Sequence, residues 1–461
     1  MGRMLTAKAL RPAQPPRPAP PPQPAAAPIP APPRMSSKAE PANPARKIAF
    51  YAGLVFLFIR LGVVPEILFA LTNTNTPILY IFGLPAIIGA LLTGGLIRAL
   101  RYRTGLLWLL FYGWMALAVP FSSWTGGSWG RVIDYGRFEL PMLFVVGGLA
   151  STWSEVRAMF YVIACAAGFN LFTARLFGGM SNGRMNLTEM SGTLGNPNDL
   201  ASQLLLVLPF VLYVIFERKN MAVRVALFSA IAYGMYLIFG TASRGGMVAL
   251  AFAFLVFLLT ANRSQRMTAV AGGAVLALTL PLFLPALTMN RLGTVFGENN
   301  LEAEESSADR SYLFQQSVRY TLQHPLFGIG PDQFPNFEGK ESQRKGWHGI
   351  WHATHCTYTQ VSSECGIPAL LFFAGGIVSA LLLVARLYKK AKQRAAHSIA
   401  NACLCYLLGM SGFLMAIAFL SNAYTLHLPT MVGLAISISF AGARELDRSA
   451  DRVEKSVPQF A

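Results

Sequence analysis

The chain has 461 residues, 54% of them apolar and only 13% charged, with a mean hydropathy of +0.45. An average soluble domain carries about 25% charged residues, so this composition excludes a disordered chain and argues against a soluble enzyme. The 38 Lys and Arg against 21 Asp and Glu give +17. In a soluble protein that excess would suggest nucleic acid. Here the basic residues stand in short clusters between apolar runs, so we infer no nucleic-acid partner and read an orientation signal in a bilayer.

Residues 1–47 form a separate zone, with 14 of the 29 prolines between Pro12 and Pro44 and eight Lys or Arg against the single acid Glu40. Proline at this density removes backbone donors, so a disordered, partly polyproline tail is expected, cytoplasmic by its charge. No apolar core or small-residue cleavage site follows Met1, so the tail does not read as a signal peptide; Met35 offers an alternative start.

Beyond the tail, apolar runs fall near 48–70, 77–98, 104–121, 137–151, 157–176, 199–216, 223–240, 246–261, 267–288, 365–387, 399–420 and 427–442. These predict an all-α polytopic membrane protein of about twelve transmembrane helices. Arg60 and Pro65 interrupt the first run, and Pro141 lies in the short fourth. Alternate loops carry the basic clusters: Arg98, Arg101 and Arg103; Arg157; Arg218, Lys219 and Arg224; Arg263 and Arg266; then Arg386 to Arg394. By the positive-inside rule these face the cytoplasm, as do both termini, including a tail over 443–461. The transmembrane domain then spans 48–442.

The remaining loops face outward, among them the long loop of about 289–364. It is rich in aromatic residues (Phe334, Phe337, Trp347, Trp351), so an ordered, partly helical, functional loop is expected. Its stretch Asp309–Gln323 has the apolar spacing of an amphipathic surface helix, ended by Pro325, Gly328 and Gly330 in HPLFGIG.

Candidate chemistry gathers on the outer side. Arg244, in Thr241–Gly246 (TASRGG), sits where one apolar run ends and the next begins. An arginine at that depth needs a partner, a wet cavity or a snorkelling route, and without a sequence-local acid it suits an anionic ligand. The glycines would allow a tight turn there and close backbone approach. Arg310 follows in the long loop, where Asp309 is a possible ion-pair partner; Arg319, nine residues on, reads as part of a solvated face. His324 fits the end of the surface helix. His355 stands at the outer mouth of the tenth run with Glu364 nine residues later, on opposite faces if both share one straight helix. A histidine of near-neutral pKa is the usual base for an alcohol nucleophile. Glu364 then reads as a packing or supporting residue. His348, His352 and His355 invite a metal, but Gly349 and Trp351 intervene and no acidic ligand completes the set, so no metal is expected. Cys165, Cys403 and Cys405 lie inside apolar runs, and Cys356 and Cys365 show no metal spacing. Nucleotide-hydrolase, metalloprotease and nucleophile-elbow motifs are absent from the sequence.

Three segments together resemble the O-antigen ligase and O-antigen polymerase superfamily of bacterial envelope glycosyltransferases. They are Gly192–Ala201 (GTLGNPNDLA), with Asn196 and Asn198 opening a membrane helix; Ser243-Arg244-Gly245; and the long outer loop with Arg310, HPLFGIG, His355 and the Glu364–Gly366 pair. The resemblance covers about 48–440, and departs from the family at Cys356, where many relatives carry Asn. It implies a metal- and cofactor-independent, inverting glycosyl transfer at the periplasmic face of the inner membrane, from an undecaprenyl-diphosphate-linked glycan to lipid A core, a glycan chain or a protein hydroxyl. It further implies that Arg244 and Arg310 bind the diphosphate, that His355 acts as base, that Arg319, Asn196 and Asn198 contact substrate, and that Glu364 supports them. The rival reading is a transporter or lipid-linked glycan flippase; no internal repeat favours it.

Overall fold

A computed structural model describes residues 43–181, 183–187, 196–293, 301–346 and 351–456. The tail expected over 1–47 lies almost wholly outside them, as do Trp347, His348 and most of the glycine-rich segment before Asn196. The described chain is built of helices, with one small antiparallel strand pair, Gly179–Ser181 with Arg184–Asn186, that the all-α expectation did not include.

Each of the twelve apolar runs lies on helix. Six helices are long and apolar enough to cross a bilayer: Arg103–Phe121, Trp153–Phe177, Pro197–Glu217, Met221–Gly240, Thr357–Gln393 and His397–Phe419. A bent pair, Pro44–Leu61 with Val64–Thr72, makes a seventh if taken as one span. The last run lies on one unbroken helix, His427–Ser456; most of the others are short or interrupted, and two interruptions have a clear local cause. At the first, Val63 takes a left-handed conformation (φ 50°) ahead of Pro65, and the two helices meet at 62°. Arg60 is not a defect there: its guanidinium meets the Glu139 carboxylate at 2.6 Å, pinning the first run to the fourth. Before the fourth run, Thr125–Asp134 is already helical where a loop was expected; a π-helical turn, Tyr135–Glu139, joins it to Leu140–Leu149. Pro141 lacks the N–H that an unbroken ladder needs, and its ring crowds the preceding turn.

Long buried helices form the centre. Most of Pro197–Glu217 is buried, as is all of Leu428–Ala441 within the last helix. Helices on the periphery, such as Arg263–Thr279 with no buried residue, keep apolar side chains on the outside, as expected for a surface that meets lipid rather than water.

The long loop is ordered where it is described. Its surface helix is longer than expected, Leu301–Gln323, and ends before His324 as the proline and glycines foretold. A second helix, Phe334–Arg344, was not foreseen. The two are tied by buried Glu338, which accepts from the Tyr312 hydroxyl at 2.7 Å and from the Tyr320 hydroxyl. Burial, then Glu338, pushes the Tyr312 hydroxyl up to about 12, so it stays a donor.

The HPLFGIG segment is docked on the start of the tenth run by backbone bonds: Ile329 N–H to Ser363 O at 2.9 Å, Gly330 N–H to Glu364 O at 2.9 Å and Ile367 N–H to Pro325 O at 2.7 Å. This requires Gly366, whose φ of 87° bends the helix and whose missing Cβ leaves room for the Leu326 carbonyl. Trp114 Nε1 donates to the Leu326 and Cys365 carbonyls, 3.1 Å each, and its ring stacks on Phe327. Gly366→Ala would force both strain and a backbone clash. It is expected to destabilise the protein by about 2 kcal/mol or more, read as a lower thermal midpoint in detergent.

Candidate functional site

The Arg244 turn begins with the chain leaving the helix Met221–Gly240. Its sharp step is taken by Ala242 at φ 47°, not by the glycines as expected. Ser243 then caps the next helix, its Oγ accepting from Gly246 N–H at 3.1 Å, so Arg244 is the first residue of Arg244–Thr260. The glycines serve close approach: a Cβ on Gly245 would meet Phe419 at 2.9 Å, and one on Gly246 would meet Ala201 at 3.1 Å. The start of a helix, with an arginine beside it, favours an anion.

Asn196 is the cap of helix Pro197–Glu217, its side chain accepting from Asn198 N–H at 2.9 Å. The Asn-Pro-Asn segment thus opens a helix, as expected. Asn196 itself is exposed and occupied as a cap, whereas Asn198 faces the site. A residue that sequence reading missed connects these parts. Arg184, on the small strand pair, donates from Nε to the Thr241 carbonyl at 2.9 Å and from Nη2 to Asn198 Oδ1 at 2.8 Å. It bridges the Asn198 helix to the Arg244 turn; nothing local in sequence marks it.

Arg310 comes to the same place from the surface helix. With Asn198, Ser243, Gly245, Gly246, Phe419 and Leu420 it lines a small pocket, part of it open to solvent. Asp309 is exposed and does not neutralise it. Burial, then the positive charge of Arg244, lowers the Arg310 pKa, so the two guanidinium groups lie within electrostatic reach of each other. A cation in a half-buried pocket, with a second cation within electrostatic reach, favours an anion nearby. Arg319 is exposed, two and a half turns from Arg310 and so on another face.

His355 is not on the helix that carries Glu364. It precedes Thr357, the first residue of that helix, in a left-handed conformation with φ 52°. The expectation of opposite faces on one straight helix therefore does not apply. A histidine held in this region is uncommon and needs a built surround. The surround comes from the loop after Phe419. Ser421 Oγ accepts from His355 N–H at 2.9 Å, Thr357 Oγ1 donates to Leu420 O at 2.7 Å and accepts from Asn422 N–H at 2.9 Å, and Gln360 Oε1 accepts from Ala423 N–H at 3.2 Å. Cys356 occupies the cap position without a side-chain bond, and these cross-loop bonds hold the turn in its stead. Burial, then Arg310, then His352 lower the His355 pKa to about 4. The ring is therefore neutral at neutral pH, able to accept a proton, and electrostatically coupled to Arg310.

Glu364 is buried and holds two loops at once. It accepts from Asp332 N–H and Phe334 N–H at 3.1 Å each and from the Tyr424 hydroxyl at 2.7 Å. Asp332 in turn pairs with Arg131 at 2.6 Å. His324 ends the surface helix as expected, its ring edge-on to Phe337. Among the described residues no group of His, Cys, Asp and Glu is arranged to hold a metal; His348 lies outside them.

The fold and the pocket define a multi-pass helical membrane protein with a basic, half-buried site at helix ends. Residues 226–374, which include Arg244, Arg310, His355 and Glu364, match the family model described as O-Antigen ligase. Over that segment the chain is similar to the O-antigen ligase family, which points to a transferase-like role in polysaccharide biosynthesis. No curated protein matches the chain.

The coupling of His355 to Arg310 has a sign that can be measured. Replacing the cation stabilises imidazolium, so Arg310→Gln is expected to raise the His355 pKa from about 4 toward, but not to, the ordinary value near 6.5, since burial remains. The pH dependence of diethyl pyrocarbonate labelling at His355, mapped by mass spectrometry, checks this; an unmoved midpoint contradicts the proximity.

Proposed function

We propose that the chain is a glycosyltransferase of about twelve spans in the bacterial inner membrane, with both termini cytoplasmic and its site facing the periplasm. It transfers a glycan, with inversion and without a metal, from an undecaprenyl-diphosphate donor to a hydroxyl on lipid A core, another glycan chain or a protein. Helix on all twelve apolar runs and basic clusters on alternate loops support this topology. The observation that carries the chemistry is convergence: Arg310, brought in by the long loop, shares a pocket with the Arg244 turn and Asn198 and acts electrostatically on His355.

In this reading the donor diphosphate lies between the guanidinium groups, with its polyprenyl chain in the bilayer. The acceptor hydroxyl oxygen attacks the anomeric carbon from the face opposite the diphosphate, and His355 takes the hydroxyl proton. The bond between the anomeric carbon and the phosphate oxygen breaks, and the diphosphate leaves with the electron pair. Arg244 and Arg310 stabilise the charge that grows on it, the role a metal serves in other transferases. Asn198, oriented by Arg184, contributes a polar group to the same pocket. Arg319 and Asn196 stay outside this pocket, and a substrate role for either belongs to the outer parts of the glycan. Glu364 supports the site by fixing the loops around His355.

Reconstituted transfer from a lipid-diphosphate glycan to an acceptor tests the proposal. His355→Ala is expected to lower turnover by about 10²–10⁴, and Arg244→Ala or Arg310→Ala by about 10²–10³, each in folded, membrane-inserted protein. Unchanged transfer in all three would contradict the mechanism. Arg184→Ala is expected to act through Asn198 and raise KM more than it lowers kcat.

The pH profile separates free enzyme from complex. In free enzyme the acid limb of kcat/KM lies below pH 6.5, because the cation and burial depress His355. Bound diphosphate offsets Arg310 and raises the His355 pKa, so the acid limb of kcat is expected at higher pH than that of kcat/KM. Coincident limbs would remove His355 as the titrating base.

A further inference from the structure

The Arg244–Thr260 helix has 17 residues, so its two ends lie about 25 Å apart. At its far end is a second cavity, of about 180 Å³ and partly open, lined by Asn262, Gln265, Tyr388, Lys392, His397 and Asn401 among others. None of its lining residues is a carboxylate.

The hydrogen bonds orient the lining groups as donors. Gln265 Nε2 donates to Asn401 Oδ1 at 3.3 Å, which leaves the Asn401 amide N–H groups for a ligand. Asn262 Oδ1 accepts from Gln265 N–H at 2.9 Å, which leaves its amide N–H groups likewise. The Tyr388 hydroxyl is turned away, donating to Thr260 O at 2.7 Å, and its ring lies under the Lys392 ammonium at 5.2 Å. The helix His397–Ala416 starts here without a side-chain cap; the His397 N–H goes to the Ala395 carbonyl at 3.0 Å, and the helix start adds positive potential. The nearby Glu217 carboxylate is already engaged by Ser398 Oγ at 3.1 Å and Arg157 at 3.5 Å. Two amides, an ammonium, an imidazole and a helix start facing one cavity suit a phosphate group.

The surroundings distinguish a lipid phosphate from a free one. The helix Arg263–Thr279, which begins at the cavity, has no buried residue, and Met267, Val270, Val275 and Leu278 are exposed along it. An apolar outer surface running from a polar donor cluster into the depth of the membrane matches a phospholipid, with headgroup in the cavity and acyl chains on the helix.

We infer that this cavity binds the phosphate of an anionic phospholipid headgroup, at the end of the molecule opposite the Arg244 site. The test reads binding and is independent of transfer. Purified full-length protein in detergent is titrated with short-chain phosphatidylglycerol, with inorganic phosphate in a separate arm, by native mass spectrometry and thermal shift. Saturable one-to-one binding of the lipid is expected. Lys392→Ala should weaken it about tenfold or more through loss of a charge-assisted hydrogen bond, and Asn401→Ala should weaken it less. Lys389→Ala, which removes the same charge from the same basic cluster but outside the cavity, should change it less than about twofold. Equal weakening by Lys392→Ala and Lys389→Ala, or no saturable binding, would overturn the site. Inorganic phosphate binding as tightly as the lipid would overturn its lipid occupant.

Discussion

Arg310 lines a half-buried pocket beside the helix that Arg244 begins, within electrostatic reach of that second cation, and much of the architecture at this end of the molecule serves to bring the two segments together. Arg244 is fixed by the helix it begins, with Ser243 as cap and Ala242 as the turn. Arg310 is 66 positions away on a surface helix and needs a scaffold to stay. Glu338 supplies part of it, clamping Tyr312 and Tyr320 of that helix to the next. The docked HPLFGIG segment supplies the rest, anchored through Gly366, Trp114 and the backbone of Ser363 and Glu364. In the proposed reading, an anionic ligand offsets the charge that Arg310 brings into this pocket.

The same scaffold sets the histidine. His355 is held by a loop near the C-terminal end of the described chain, through Ser421, and that loop is in turn held by Tyr424 on Glu364. Glu364 therefore connects the segment that carries Arg310 to the segment that orients His355, without entering the pocket itself. Its lone pairs go to two backbone N–H groups and one hydroxyl, the pattern of a buried carboxylate whose work is positional.

What was readable in the sequence follows from what is local. Hydropathy is a property of contiguous residues, so every apolar run emerged as helix, and the proline and glycines after Gln323 ended the surface helix where expected. Interruptions were less readable: the left-handed Val63 and the π-helical turn at Tyr135–Glu139 answer to packing across the bundle as well as to Pro65 and Pro141. Phe334–Arg344 is polar and short, with little periodic signal to find. At the site, Arg244, Arg310 and His355 stood out because charge is rare in such a chain. Arg184 did not, because its importance lies in bonds to Asn198 and Thr241 across intervening chain. The relation of His355 to Glu364 was misread because a helix was extended through a residue whose φ is positive.

The central claim is that the two arginines hold a diphosphate while the histidine handles a proton, and binding separates these roles most directly. Equilibrium binding of undecaprenyl diphosphate to the purified protein should weaken by about tenfold or more in Arg244→Gln and in Arg310→Gln. His355→Gln should bind as wild type does and yet fail to transfer. Binding unaffected by either arginine, or lost with the histidine alone, would contradict the account.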